Sequence, residues 1–235
     1  MTSIDIHFCG ELLRSVGAGL YDTCKRGERS ASVPDLFNRF ELANNPATFQ
    51  LKTALAEKYP NIRWSDSEFE TENQQKVEYE GEYCFVYDPS HDELFYAVAG
   101  EGAFLNGKPI RVAAKEKLKE AIVCTTPPSF PAKDIEITNL TLRGFNHIIP
   151  RAFAVRMLGS ISLQLAYTAC GRLDGYDEFG DEIYNWIAGA LLVQEAGGVV
   201  SDRHGNSFTW GTSGIIASNP ILHQNMKEEL NAISS

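Results

Sequence analysis

The sequence predicts an α/β fold built in two parts. Apolar residues recur at helical spacing over residues 4–25, alternate with polar residues over 83–112, and then fall into alternating strand and helix patterns. We therefore expect residues 1–112 to form N-terminal helices plus an antiparallel sheet, and residues 113–235 to form a C-terminal α/β part. With 235 residues, the chain is long enough to bury a substantial core, as one large domain or two modest ones.

The N-terminal part opens with helical patterns. The pattern over residues 4–25 carries a stripe of Leu and Val, and a second, short helix is expected after Pro34. A third helix is predicted from Asn44–Pro46, where an asparagine would cap the helix and a proline would occupy its first turn, up to Pro60. The polar, acidic stretch that begins with IRWSDSEF then predicts a short strand running into a loop.

Residues 83–112 have the two-residue period of a β-meander. Asp88-Pro89 and Asn106-Gly107 are the turn signals between its strands. The letters GEGAFLNG inside it weakly resemble a dinucleotide-binding loop, but the third glycine is missing at the right spacing and the chain continues as a hairpin instead of opening a helix. A nucleotide site is therefore not predicted here.

The C-terminal part alternates strands and helices. Buried strands are predicted at EAIVCTT, AFAVRML, GGVVSD and GIIASN, and LDGYDEF, between the second and third of these, is interpreted as an edge strand. The helices are SISLQLAYTACG, ended by Gly171, and residues 183–196, which have little polar face and are therefore expected to be buried. Gly189-Ala190 in the second helix would let another element approach closely. The alternation predicts at least partly parallel pairing.

The net charge of −10 argues against a nucleic-acid or anionic-membrane partner. It does not exclude a small phosphorylated ligand, because local dipoles or a metal reverse the potential inside a pocket. The five cysteines are scattered and include no C-x-x-C pair, which argues against a zinc knuckle and against a disulfide framework. Since no signal peptide opens the chain and no apolar run is long enough to span a bilayer, the sequence predicts a cytoplasmic protein.

An acidic stretch leads into the helix predicted over residues 183–196. Its members are Asp174, Asp177, Glu178, Asp181 and Glu182, and the neutral amide of Asn185 follows in the first turn. A single acid there complements the helix dipole, but five acids in nine residues repel one another. Clustered carboxylates are what Mg²⁺ needs, since it takes oxygen ligands in octahedral geometry.

A second feature is the Gly-Ser turn within LGSIS at residues 158–162. The free N–H groups at the start of the following helix could hold an anion, although a plain helix cap is the simpler explanation of the turn taken alone. Together with the acidic stretch, this turn predicts metal-assisted phosphate chemistry.

Four stretches between about residues 44 and 220 carry a resemblance to a known family. They are ALAEKYPNIRWSDSEF, YDPSHDELFYAVAGEGAFLNGKPIRVA, GSISLQLAYTACGRLDGYDEFG and YNWIAGALLVQEAGGVVSD. In this order they resemble the inositol monophosphatase family of Mg²⁺-dependent phosphatases. The resemblance implies a layered α-β-α-β-α sandwich with a truncated first sheet, and hydrolysis of inositol or sugar phosphate monoesters. It also implies Mg²⁺ as cofactor and a small phosphorylated metabolite as partner, and it allows a homodimer.

The resemblance also implies roles for individual residues. Gly159 and Ser160 match the turn that contacts the phosphate, and Glu178 matches the acid that hydrogen-bonds a substrate hydroxyl. Asn185 stands where the family has an aspartate that binds a catalytic metal. Glu68 is the remaining candidate metal ligand, at or next to the family's Gly-Glu-Glu pair. Its alternative in a slipped register is Asp66, and the family's acidic position in the preceding helix start is Asn44 here.

The family's Asp-Pro-Ile-Asp-Gly-Thr motif, which supplies carboxylates to the metals, has no match in this chain. Only a short segment, Glu70–Val86, connects the stretches that should flank it. Asp88 and Asp92 are interpreted as turn residues of the meander. Because Asn185 is also neutral, the remaining charges predict that Mg²⁺-dependent hydrolysis is weak or undetectable.

Three hypotheses follow from the sequence. The chain is a phosphatase with a metal site rebuilt from Glu68, Asp177, Glu178 or Asp181; or it is a non-catalytic relative that binds a phosphorylated ligand or a protein; or the printed chain lacks a segment of the true protein. For a ligand site of either kind, Gly159, Ser160 and Glu178 are expected to meet beside the start of the helix at 183–196.

Overall fold

The computed structural model describes residues 4–26, 29–62, 64 and 82–233. The chain divides into two compact units, residues 1–69 with 87–94, and residues 70–86 with 95–235. The boundary predicted near residue 112 separates types of element along the sequence and stays a prediction. Within the described ranges, no helix is long and apolar enough to cross a membrane.

Two helices, α1 (Ile6–Arg26) and α2 (Val33–Lys58), dominate the first unit. Helix α1 confirms the helix predicted over residues 4–25. The Asp5 backbone N–H donates to the Tyr59 hydroxyl over 2.8 Å, and the Asp5 carboxylate pairs with Lys58 at 2.6 Å. These two contacts connect the start of α1 to the end of α2.

Helix α2 is one continuous helix where two were predicted. Ser32 caps its start, since the Ser32 Oγ accepts from the Asp35 backbone N–H over 3.3 Å, and Pro34 lies in its first turn. The predicted start at Asn44 is wrong, because Asn44 and Pro46 lie inside the helix. A proline inside a helix removes one backbone hydrogen bond and kinks the axis, but it does not oblige the helix to end.

Four strands form the first sheet, in the order β1 (Tyr83–Asp88), β2 (Glu93–Val98), β3 (Gly102–Leu105) and β4 (Lys108–Pro109). This confirms the predicted meander. Asn106 and Gly107 both have positive φ, as the tight turn between antiparallel strands requires. Asp88 Oδ1 accepts from the Ser90 backbone N–H over 2.9 Å, which makes Asp88 a turn residue as expected.

The remaining elements belong to the second unit. A short 3-10 turn at Leu118–Glu120 precedes β5 (Ile122–Thr126), α3 (Ile135–Ile148), β6 (Ala154–Arg156), α4 (Ile161–Ala169), β7 (Gly175–Glu178), α5 (Ile183–Glu195), β8 (Val199–Ser201), β9 (Ile215–Ser218) and α6 (Pro220–Asn231). The five predicted strands and the helices α4 and α5 are confirmed. Helices α3 and α6 were not among the elements predicted from the sequence.

The second sheet has the strand order β6-β5-β7-β9-β8. Strand β5 pairs in parallel with β6 and β7, whereas β9 pairs antiparallel with β7 and β8, so the predicted partly parallel pairing is confirmed. The predicted edge position of β7 is wrong, because β7 is the central strand and all four of its residues are buried. Strand order depends on pairing between distant segments, which local sequence patterns do not encode.

Side-chain alternation along the strands divides the core between the two faces of this sheet. Cys124 and Ile215 face the helices α4 and α5 in a cluster that also contains Phe95 of β2. Val123 and Ile216 face the opposite cluster, which α3 and α6 complete. Two sheets with flanking helices confirm the predicted α/β class.

Helices α4 and α5 touch at Gly189. A Cβ atom built at this glycine would lie 2.3 Å from Leu165 Cβ, far inside contact distance. Only a hydrogen atom fits there, which confirms that Gly189 permits the close approach of another element.

The far end of α5 is fixed to the first sheet. Glu195 accepts hydrogen bonds from the backbone N–H groups of Gly100, over 2.8 Å, and of Gly102, over 2.9 Å. One carboxylate therefore serves the backbone of the turn between β2 and β3, and its charge strengthens both hydrogen bonds.

Replacing Gly189 with Ala should destabilise the protein by about 2 kcal/mol, because the methyl group must displace α4 from α5. Urea unfolding measures this change. The matched control is Gly19→Ala in the exposed face of α1, where no atom lies within 4 Å of the added methyl. The control should stabilise its helix by about 0.5–1 kcal/mol. Equal effects at the two positions would contradict the close contact.

Candidate functional site

The parallel strands bring three chain segments to one edge of the second sheet. Thr126 and Glu178 lie opposite each other at the carboxyl ends of β5 and β7. The turn at Leu158–Ser160 follows shortly after the carboxyl end of β6, which pairs in parallel on the other side of β5. Ligands of open α/β sheets bind at the carboxyl ends of parallel strands. This edge, with the starts of α4 and α5, is the candidate site.

Gly159 and Ser160 are exposed at the start of α4. Ser160 caps the helix, since its Oγ accepts from the Leu163 backbone N–H over 3.4 Å. No atom lies within 4 Å of a Cβ built at Gly159, so the space over the turn is open. The first N–H groups of a helix have no partner within the helix, and they favour an anion.

Gln164 holds the turn that precedes α4. Its side-chain amide nitrogen donates to the Leu158 carbonyl over 3.1 Å, and its Oε1 accepts from the Leu158 N–H over 3.3 Å. The same nitrogen donates to Thr126 Oγ1 over 3.0 Å, and the side chain is fully buried. Sequence reasoning missed Gln164. The available signal was a lone amide in the otherwise apolar helix ISLQLAYTA.

Glu178 is only 1% exposed. Its Oε2 accepts from the Tyr176 hydroxyl over 2.6 Å and from Trp186 Nε1 over 2.5 Å. Oε1 is buried and has no hydrogen-bond partner within the described part of the chain. Burial raises the pKa of Glu178 to about 7, against the opposing effect of the two hydrogen bonds.

A series of short contacts connects Glu178 with the turn before α4. The Tyr176 hydroxyl, which donates to Glu178, lies 3.1 Å from Thr126 Oγ1, and Gln164 donates to the same Thr126 oxygen. The structure therefore places Glu178 and the turn at Gly159–Ser160 at the same sheet edge. No direct contact joins Glu178 to Ser160, and their role in binding a ligand stays a prediction.

The acidic stretch does not form one cluster, contrary to expectation. Asp174 lies before the start of β7, four residues and about 13 Å from Glu178 along the strand. There it accepts from Lys115 over 2.8 Å and from the Ile122 backbone N–H over 2.7 Å. Asp177 is buried on the opposite face of β7 from Glu178, where Thr125 donates to it over 3.3 Å and burial raises its pKa to about 7.

Asn185 and Glu182 form a side-chain pair at the start of α5. Asn185 Nδ2 donates to Glu182 Oε2 over 2.9 Å, and Ser129 Oγ donates to Glu182 Oε1 over 2.9 Å. The backbone carbonyl of Asn185 accepts from Ser162 Oγ over 2.9 Å. The segment that follows β5 thus meets α4 and α5 here through neutral donors. Asp181 is exposed to solvent.

The described side chains at this edge do not fit the oxygen cage that Mg²⁺ requires. Asn185 directs its amide nitrogen at Glu182, and both oxygens of Glu182 already accept from neutral groups. Over residues 4–62 and 82–233, apart from the undescribed positions 27 and 28, no three His, Cys, Asp or Glu side chains are grouped to hold a metal. The predicted ligand Glu68 and its alternative Asp66 lie outside the described residues.

Several curated proteins are similar in sequence to this chain. The chain is 40% identical over 153 residues to the Nus factor SuhB of Escherichia coli K12, a match that covers 63% of this chain and 56% of that protein. It is 41% identical over 148 residues to inositol monophosphatase 2 of Solanum lycopersicum, covering 62% and 55% respectively. The chain spans about half the length of the curated relatives it matches.

Solved structures share the fold. The extragenic suppressor protein suhB from Bartonella henselae superposes with a TM-score of 0.77 at 22% identity, covering 96% of this chain and 98% of that chain. Inositol monophosphatase from Anabaena gives a TM-score of 0.76 at 24% identity, covering 97% and 95%. The family model described as the inositol monophosphatase family matches residues 77–235. This match takes in most of the chain, which therefore belongs to the inositol monophosphatase family.

Proposed function

We propose that this family member has weak or no Mg²⁺-dependent hydrolysis of inositol or sugar phosphate monoesters. We also propose that it binds a small phosphorylated metabolite at the candidate site, beside the starts of α4 and α5. The observation that carries the proposal is the amide of Asn185, which donates to Glu182 at the position where the resemblance implies a metal-binding aspartate. In active relatives, Mg²⁺ supplies charge neutralisation and an activated water. An amide brings no negative charge to such a site.

Phosphate binding is supported by the start of α4. The space at Gly159, just before the first turn of α4, is open, and Gln164 fixes the backbone of the preceding turn through the N–H and the carbonyl of Leu158. The raised pKa values of Asp177 and Glu178 leave both carboxyl groups partly protonated near pH 7. The edge is therefore less negative toward an anion than its residue types suggest.

Glu178 is the proposed contact for a ligand hydroxyl. One of its oxygens is engaged by Tyr176 and Trp186, so Oε1 is the atom left for a ligand. Its burial means that a ligand reaches Oε1 only if neighbouring side chains move. We therefore assign the main affinity to the turn at Gly159–Ser160 and a selective role to Glu178.

Protein binding is a second candidate function. Relatives at about 40% identity carry the name Nus factor. The second unit also exposes several large apolar side chains on and after α3, namely Ile135, Leu142, Ile149, Phe153, Met157 and Leu158. Contiguous patches of exposed apolar residues are typical of surfaces that bind other proteins. A homodimer and a cytoplasmic location stay predictions.

Phosphate release from inositol 1-phosphate should be the same in excess Mg²⁺ and in excess chelator, at or near the rate without protein. Asn185→Asp alone should recover little activity, because the family's other carboxylates are still missing. Robust turnover that chelator abolishes would contradict this proposal and favour a rebuilt metal site. Alanine substitutions at Glu68, Asp177, Glu178 and Asp181 would then identify its ligands.

Gly159→Asp should weaken binding of inositol 1-phosphate, measured by calorimetry, by about tenfold, because it places a negative charge over the α4 N-terminus. The substitution should not unfold the chain, since the site is open and an acid favours a helix start. Gly159→Asn is the matched neutral control and should bind nearly as well as wild type. Equal affinity of the two variants would show that the start of α4 is not part of the binding site.

Glu178→Gln should increase stability at pH 8 relative to wild type, with a much smaller increase at pH 5. The folded pKa of Glu178 is raised from 4.5 to about 7, so its contribution is fully present below pH 4.5 and is lost as pH rises to about 7. The loss amounts to about 3 kcal/mol at most. Urea unfolding at both pH values measures it, with exposed Asp181→Asn as control. A stability loss for Glu178→Gln at pH 8 would show that the buried carboxyl is not disfavoured.

A further inference from the structure

The Glu182 side chain does not cap the backbone of its own helix. It occupies the position immediately before α5, where an acidic side chain commonly accepts from the first-turn N–H groups, yet it makes no capping hydrogen bond. Its carboxylate accepts instead from the side chains of Asn185 and Ser129. Both oxygens of this half-buried group are thus used to connect α5 with the segment that follows β5.

The direction of the Asn185 hydrogen bond follows from chemistry. An ionised carboxylate accepts only, so the Asn185 amide must donate through Nδ2. An aspartate at this position would have no proton to donate. It would place a carboxylate oxygen about 3 Å from Glu182 Oε2, and two like charges at that separation repel strongly in a partly buried site.

Paired carboxylates persist in proteins when a proton or a cation lies between them. We propose that the Asn185 amide takes the place of such a cation, so that the start of α5 is held by the Ser129–Glu182–Asn185 side chains without any divalent ion. Asn185 is a positioning residue in this assignment. It fixes Glu182, and its backbone carbonyl receives Ser162 of α4.

These side chains would hold the start of α5 in place whether or not the chain binds phosphate. Through these contacts, α4 and α5 are aligned although the residue at the proposed metal position is neutral. This arrangement has a specific consequence: exchanging the amide and the carboxylate between positions 182 and 185 should preserve the hydrogen bond with its direction reversed.

The test is thermal unfolding of the full chain with Mg²⁺ or with chelator. Wild type should show the same Tm in both conditions. Asn185→Asp should lower Tm in chelator by about 5 °C. Either Mg²⁺ or the second substitution Glu182→Gln should restore most of that loss, because the first supplies a cation and the second supplies an amide donor. Asp181→Asn, a charge change at the exposed neighbour, should shift Tm by less than about 1 °C.

Three results would overturn the assignment. One is a Tm of the wild-type chain that rises in Mg²⁺ while the Tm of Glu182→Gln does not. A cation would then occupy the site in wild type. Another is an unchanged Tm for Asn185→Asp in chelator, which would show that the amide is not needed. The third is a loss of Tm in Asn185→Asp that neither Mg²⁺ nor Glu182→Gln repairs, which would assign the effect to another contact of Asn185.

Discussion

The direct contact of α4 with α5 is the constraint on which the candidate site depends. Gly189 lets the α5 backbone lie against Leu165, and no larger residue fits at that distance. This contact keeps the first turns of both helices close enough for Ser162 to reach the Asn185 carbonyl. The first turns of α4 and α5, where a ligand could bind, are therefore positioned by helix packing in the core. The strand order of the sheet then determines which loops lie beside them.

Separation of charge relieves the repulsion expected from the acidic stretch. The pleat of β7 sends Asp177 and Glu178 to opposite faces, and the length of the strand places Asp174 at its other end. Each carboxyl then acquires its own environment: an ion pair with Lys115 for Asp174, a threonine for Asp177, and the Tyr176 and Trp186 donors for Glu178. All three carboxyl groups are buried, and this burial is the cost of the arrangement.

Much of the fold was predictable because it is encoded locally. Helix α1, the meander, the five strands of the second sheet and the buried helix α5 all follow from the period of apolar residues. The merging of two predicted helices into α2 was not predictable, because Asn44 and Pro46 have the same residue types as a helix start. The central position of β7 required knowledge of pairing with β5 and β9, which are distant in sequence.

The candidate site was predictable in its residues more than in its contacts. The turn at Gly159–Ser160 and the acid at Glu178 do lie at one sheet edge, as parallel strands require. The partners of these residues were not predictable, since Gln164 reaches Thr126 from 38 positions away and Ser129 reaches Glu182 from 53. Sequence spacing reveals helix and strand neighbours, but not side chains that meet through the tertiary fold.

Helix α5 is fixed by side-chain contacts at both of its ends, and each end contacts a different part of the protein. The helix has 13 residues and is therefore about 20 Å long. Its first turn belongs to the candidate site, and Glu195 at its last turn supports the backbone of Gly100 and Gly102. Any sequence change that tilts α5 to reshape the site also loosens a hairpin far from it. Divergence of the candidate site is thus limited by the geometry of a turn at the opposite end of α5.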